Sequence, residues 1–420
     1  GIAAAQDTAP TCSDVSFSGG DGSADDPYEI ENVSQLQCIE KDLDAHYELV
    51  SDVDASATSE WNDGNGFEPI GSDEQRFVGT FDGNDQNISD LYINWTSDNV
   101  GLFATVGKDG TVHNLTVTDL SFTPAYSTGG IVGENYGIVD NVSAHGTISS
   151  TGTHSNIGGL VGSNEGSGTV TRSSANVTIT VLGQSGQTGG LVGNNAGTIE
   201  QSTARGTVEL EEGRLVGGLV GINRGTVNAS SAEGMEPVAG SLQVGGLIGG
   251  NVGGTVHTSS ANRTVTGDSD VGGLVGIAAG GQITDTSANT TVEGTTSVGG
   301  LVGANGGKGQ PGSTITNASA GGTVSVPDNT ANTEYVGGLV GQLYQGTVTT
   351  SDATVDVDAA NSLSVGGLVG YNDEGEVTQS YATGNVTGNE SVGGLVGNNT
   401  GAVYTAYATG GVTATDEVGG

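Results

Sequence analysis

Gly158-Gly159-Leu160-Val161-Gly162 is the stretch on which the reading of this chain turns, because it recurs. The same five residues begin again at Gly189, Gly217, Gly272, Gly299, Gly337, Gly366 and Gly393, with one conservative change at Gly129–Gly133 (Ile131) and another at Gly245–Gly249 (Ile248). A degenerate copy, Val100-Gly101-Leu102-Phe103, precedes them, and Gly419-Gly420 stands where another would start. Counted on the second glycine, successive copies lie 29, 29, 31, 28, 28, 27, 27, 38, 29, 27 and 26 residues apart. Such regularity marks a repeat architecture, in which each unit buries its apolar face only against its neighbours.

Outward from the glycine pair, each repeat carries a short polar turn, often Asn-X-Gly as in Asn164-Glu165-Gly166 or Asn223-Arg224-Gly225. A Gly-Thr-Val step follows, as in Gly225-Thr226-Val227 and Gly346-Thr347-Val348. Three residues on stands Ser (Ser173, Ser202, Ser230, Ser259, Ser351, Ser380), and five residues on stands Ala in every full repeat, from Ala144 and Ala175 to Ala382 and Ala408. A third β-rich step such as Gly206-Thr207-Val208 closes the unit. Thr, Val and Gly dominate, and no window is long enough for a helical repeat. The expectation is all-β: a right-handed parallel β-helix of about 12 coils, three strands to a coil, stacked about 4.8 Å apart. The Ala column then marks a corner too narrow for a larger side chain. Val298 and Leu301 can both point inward only if the chain bends at Gly299-Gly300, so a bend is expected there. The long interval, about 304–334, carries the turn clusters Gly306–Gly312 and Pro327–Asn332 and should form loops that leave the stack uninterrupted.

Residues 1–98 read as a cap ahead of the repeat region 99–420. Most large aromatics lie here or at its edge (Trp61, Phe67, Phe77, Phe81, Trp95, Phe103), and an exposed solenoid end needs such a cover. One helix is expected over residues 33–43, from Val33, Leu36, Ile39 and Leu43, with Asn32 as N-cap and Gln35 as capping-box partner. Cys12 and Cys38 are the only cysteines; with no His near at ligand spacing, they read as a disulfide, which favours an oxidising, extracellular location. Gly1–Gln6 resembles the small-residue end of a processed signal peptide. No stretch is apolar and long enough to span a membrane as a helix. Past Gly419-Gly420, either more repeats or a neighbouring subunit is expected to cover the edge.

The charge is extreme. Against 48 Asp and Glu stand 9 Lys and Arg, a formal net charge of −39. Such a surface repels nucleic acid and anionic membrane, and suits a protein from a halophilic microbe, which stays soluble at salt concentrations where self-repulsion is screened.

These residues resemble the GLUG-motif repeat family, named for its Gly-Leu-hydrophobic-Gly core, over about residues 100–420. The cap resembles the segment that precedes such repeats, in Asp26-Pro27-Tyr28-Glu29-Ile30, Tyr47-Glu48-Leu49 and Phe77-Val78-Gly79-Thr80-Phe81-Asp82-Gly83. The resemblance implies a right-handed β-helix in a large secreted or surface-attached microbial protein, often adhesin-like. It supplies no catalytic residue.

Chemistry is sparse. His46, His113, His145, His154 and His257 hold different repeat positions, the arginines are scattered, and no acid/base pair can be named, so no catalytic residue and no cofactor are assigned. Asp21, Ser23, Asp25 and Asp26 place oxygens along one turn as a calcium loop does, without the bidentate Glu of an EF-hand, and are the metal candidate. Glycosylation sequons stand at Asn32, Asn87, Asn94, Asn114, Asn141, Asn176, Asn228, Asn262, Asn289, Asn317, Asn385, Asn389 and Asn398. Tyr381 and Tyr407, one repeat apart, should stack as a ladder that stabilises adjacent coils. The reading is a non-enzymatic, extracellular adhesive or structural rod, its partners other copies of itself or cell-surface proteins and glycans. Its alternative is a β-helical polysaccharide lyase or hydrolase.

Overall fold

In the computed structural model, which describes residues 8–96, 99–307, 309–327, 333–415 and 418–419, the glycine pair is a bend. The strand Thr296–Gly299 ends there and Val302–Asn305 begins two residues later, so Val298 and Leu301 both lie fully buried. The backbone ladder is not lost at the bend. Leu160, Leu191, Leu219, Leu247, Leu274, Leu301, Leu339 and Leu368 each donate N–H to the leucine carbonyl of the following coil at 2.8–2.9 Å. Two residues past the bend, an 11-stranded parallel sheet runs from Phe103–Val106 to Val396–Asn399. The molecule is a parallel β-solenoid of about eleven turns.

From Thr80 to Asn399 each coil contributes five strand steps rather than the three expected. Besides the segment after the bend, steps pass through Val227, Ala232, Val238 and Val244 and pair in register with Val256, Ala261, Val265 and Val271 of the next coil. The extra corner was hidden because no glycine makes it. Asn141, Arg172, Gln201, Ala229, Thr258, Asp285, Asn317, Thr350, Gln379 and Thr405 take φ of 46–54° there, a left-handed conformation costing about 1–2 kcal/mol in ordinary residues. The serine that follows closes the corner. Ser202 Oγ donates to the Glu200 carbonyl (2.8 Å) and accepts the Ser173 N–H (3.2 Å), and Ser230 repeats this with Asn228 (2.8 Å) and Ser202 (3.1 Å).

The Ala column has the cause expected of it, with a named partner. A Cβ on the second glycine of most pairs would stand 3.0–3.3 Å from the alanine Cβ, as for Gly159 and Ala175, Gly218 and Ala232, or Gly367 and Ala382; at Gly273 it would meet Thr290 Oγ1 instead. The polar turn behind the bend is a different matter. Its asparagine, expected in a surface turn, is buried. Asn135 donates to Asn164 (2.8 Å), Asn164 to Asn195 (2.8 Å), Asn195 to Asn223 (2.7 Å) and Asn223 to Asn251 (2.8 Å). Ala278 and Leu343 interrupt the column, and Asn372 and Asn399 resume it at 2.7 Å.

The stack also runs through residues 28–93. One apolar column passes without a break through Tyr28, Tyr47, Phe81, Val112, Val139, Val170 and on to Val403. Trp61, Phe67 and Phe77 fill the interior of these wider first coils. The helix is shorter than expected: α-helical from Val33 to Gln37, then a 3-10 turn, Cys38–Lys41, with Asp42 already extended. Asn32 caps it by accepting the Gln35 N–H (3.1 Å), while Gln35 Oε1 reaches one residue beyond the box position, to the Glu31 N–H (2.8 Å). Cys12 and Cys38 are joined, Cα to Cα 5.3 Å, fastening the leading segment to the helix. Within the long interval the columns continue, Ile283 to Ile315 to Val348, around a small loop closed by Gly307 and Gln310. Gly1–Gln6, most of the Pro327–Asn332 cluster and Gly420 lie outside the described residues.

Replacing Asn195 with Ala removes the shortest hydrogen bond of the Asn164 amide and strands the Asn223 carbonyl acceptor inside the solenoid. Urea denaturation should show a loss of about 2–3 kcal/mol, the cost of leaving buried polar groups unpaired. An unchanged midpoint would show that the asparagine ladder is dispensable.

Candidate functional site

The residue that follows the closing glycine of each bend holds one register position along the 11-stranded sheet. In the first coils this position is Thr105, Glu134, Ser163 and Asn194, in register on successive coils; then it becomes Ile222, Gly250, Ile277 and Ala304. The polar run forms the floor of a groove. A turn closed by the Ser72 N–H on the Gln75 carbonyl (2.8 Å) brings Asp73 over its near end. Asp73 Oδ1 accepts from Asn99 Nδ2 (2.8 Å) and Thr105 Oγ1 (3.0 Å), and Asn99 Nδ2 also lies 3.3 Å from Glu134 Oε2.

Burial holds the Glu134 carboxyl above the usual carboxylate range, and the neighbouring Asp73 adds to this, although the Tyr136 hydroxyl donates to Glu134 Oε1 at 3.0 Å. Tyr136 lies under the Arg76 guanidinium, 4.0 Å from ring centre. Further along, Ser163 Oγ donates to Glu165 Oε1 (2.6 Å), Asn194 Nδ2 to Ser163 Oγ (2.9 Å), and Arg224 Nη1 to Asn194 Oδ1 (2.7 Å). Tyr126, 63% exposed, stands on the wall, with Asn156 and Gln187 beside it. The cavity is about 550 Å³, and a second of about 560 Å³, lined by Glu68, Pro69 and Trp95, shares Asp73 and Asn99 with it.

The residues singled out by sequence do not meet in this groove. Asp21 Oδ1 accepts the Ser23 N–H (3.0 Å), and the Asp21 and Gly22 N–H groups donate to the Asp26 carbonyl, so the calcium candidate is a closed Asx turn. Among the described residues, no group of three or more His, Cys, Asp and Glu could hold a metal. The histidines stay apart, with His113 beside Asp82 (3.5 Å) and His257 beside Asp285 (3.4 Å). None of the thirteen sequon asparagines is buried; Asn32, Asn141, Asn176, Asn262, Asn289, Asn317, Asn385 and Asn398 are the exposed ones, while Asn87, Asn94, Asn114, Asn228 and Asn389 are half-buried. Tyr381 and Tyr407 stack at 5.3 Å, and Tyr335 and Tyr371 stack at 4.9 Å. The groove left one trace in the sequence: the position after the bend is polar in the early repeats and apolar or small in most later ones.

Sequence reasoning also passed over two ionisable groups, one buried and one half-buried. Arg263 lies in the interior, 3% exposed, its Nη2 donating to the Gly206 (2.7 Å) and Glu236 (3.0 Å) carbonyls, and burial pulls it down to about 10. Its Cδ would stand 3.2 Å from a Cβ placed on Gly218. Asp270, on the strand before the bend, is pushed up to about 6 by burial, against a hydrogen bond from Gln243.

A repeat-built parallel β-solenoid is thus the class that the fold defines, and the comparisons are specific about the repeat. Residues 124–149, 153–180, 184–209, 332–358 and 361–387 match the GLUG motif. These five segments of the chain therefore carry GLUG-motif repeats. A stretch of 150 residues, 34% of the chain, is 42% identical to halomucin of Haloquadratum walsbyi, which supports the halophilic origin read from the charge. Another of 134 residues, 30% of the chain, is 40% identical to a protein of Evansella cellulosilytica named as a Gly-rich membrane protein. These matches span only 2% and 15% of the two relatives. A crystal structure from Bacteroides ovatus, named as an immunoglobulin A1 protease candidate, aligns over 94% of this chain and 87% of its own at 15% identity, but a TM-score of 0.26 carries no argument. Among the described residues no helix is long and apolar enough to cross a membrane.

Asp270 gives a pH test. Its folded pKa of about 6 exceeds the ordinary 3.8, so the native state favours the protonated acid. That contribution is full below pH 3.8 and is lost as pH rises through 6. Asp270→Asn should therefore stabilise the protein at pH 7.5 by about 2–3 kcal/mol and give no gain at pH 3.5. A gain of equal size at both pH values would contradict a half-buried, titrating carboxyl.

Proposed function

We propose that the chain is the acidic, stiff section of an extracellular surface protein, non-enzymatic, which projects from the cell or enters an extracellular filament and makes many weak contacts with cell-surface proteins, glycans or other copies of itself. The observation that carries this is how the repeat residues are used. Gly, Leu, Val, Ala, Ser and Asn are consumed in buried ladders that build length. What remains outside is a surface with a formal net charge of −39 and thirteen sequons. The surface location is supported by the two relatives, one named as a halomucin and the other as a membrane protein. End-to-end association of rods would extend the same stacking, since a solenoid end presents an unpaired edge.

Multivalency is the mechanism this reading requires, because single weak contacts at one rod gain strength only when many rods act together. Beads coated with many copies of the chain should hold microbial cells in 3 M NaCl at least tenfold better than albumin-coated beads, and soluble single rods should compete poorly. Retention equal to albumin would remove the adhesive role. Release of new chain ends from polysaccharides, lost in Glu134→Gln, would instead favour the lyase or hydrolase reading.

A further inference from the structure

We propose that the groove between Trp95 and Arg224 is a binding site for an uncharged glycan chain laid along the first coils. It gives a ligand class to the surface protein proposed above and rests on that reading only for where such chains would be met. The two cavities both border Asp73 and Asn99, so they adjoin as the two halves of a trough, each within the size range of small-molecule sites. Tyr126 leaves 63% of its surface in water on the wall of this trough, although an aromatic ring with a polar tip is the side chain best suited to a partner that is apolar on one face and wet at its edge. Trp95 lines the other half, its indole N–H without a protein partner.

The polar groups are of the kind that sugar hydroxyls satisfy. Carboxylates accept from them, guanidinium and amide groups donate to them, and each hydroxyl does both. Asp73, Glu134 and Glu165 supply the acceptors, Arg224 and Gln187 the donors, and Asn156 Oδ1 is shielded with no hydrogen-bond partner. Glu134, Ser163 and Asn194 repeat on successive coils, so the floor offers a polar contact about every 4.8 Å, close to the length of one pyranose ring. Charge selects among glycans. Glu68, Asp73, Glu74, Glu134 and Glu165 outnumber Arg224 along the trough, so uronate or sulfate chains meet like charge.

The test is calorimetric titration of the folded chain with cellohexaose, mannohexaose, chitohexaose and hexagalacturonate. At least one neutral hexasaccharide should bind one per chain, and hexagalacturonate should not. Tyr126→Ala, an exposed ring that the fold does not need, should weaken binding at least tenfold, while Tyr126→Phe should stay within threefold. Glu134→Gln should weaken it as well. The proposal is overturned if no neutral hexasaccharide binds to a chain of native circular dichroism and melting, if Tyr126→Ala binds as the parent does, or if hexagalacturonate is preferred. Beads that still hold cells while these titrations fail would sink the groove and leave the surface reading standing.

Discussion

The contact on which the structure depends is the approach of one coil to the next at the second glycine of each pair. There a backbone carbonyl of the next coil, an alanine Cβ and the glycine itself fill the space that a side chain would need. Everything else follows from that closeness. The bend turns leucine and the preceding valine into the same interior, the leucine N–H groups keep their ladder through the bend, and neighbouring coils are held in a single register. A solenoid whose units touch only their neighbours needs such a lock in every unit, because stability is a sum of local interfaces. The repeat therefore spends its most constrained residues on the one corner where no other residue fits.

Glycine, leucine and alanine announce themselves in the sequence because only one residue type serves each place. This is why the solenoid, the bend between Val298 and Leu301, and the narrow Ala corner were legible. The second corner was not, because its left-handed residue varies through Arg172, Gln201, Ala229 and Thr258 and is held by the serine after it rather than by its own propensity. Asparagine misled in a different way. In Asn164-Glu165-Gly166 it looks like an exposed turn residue, yet its side chain is an internal rung, since an amide can donate to the next copy of itself while accepting from the one before. The stacking of Tyr28, Tyr47 and Phe81 stayed hidden because the loops between them differ in length while the column does not.

The groove was the least legible part. Its floor comes from one position of consecutive repeats, but its rim comes from Asp73, Asn99 and Trp95 in the irregular first coils, where no period helps. The buried columns set length and stiffness, and the outward positions, free of that duty, carry polarity, charge and the sequons.

Thermal and urea midpoints of Gly218→Ala and Gly166→Ala test the central claim most directly. A methyl on Gly218 would overlap the Gly246 carbonyl oxygen and stand 3.0 Å from Ala232 Cβ, whereas one on Gly166 meets nothing within 4 Å. If the close approach of coils sets the fold, Gly218→Ala loses about 3 kcal/mol or more, or does not fold, and Gly166→Ala stays within about 0.5 kcal/mol of the parent. Two variants of equal stability would contradict it.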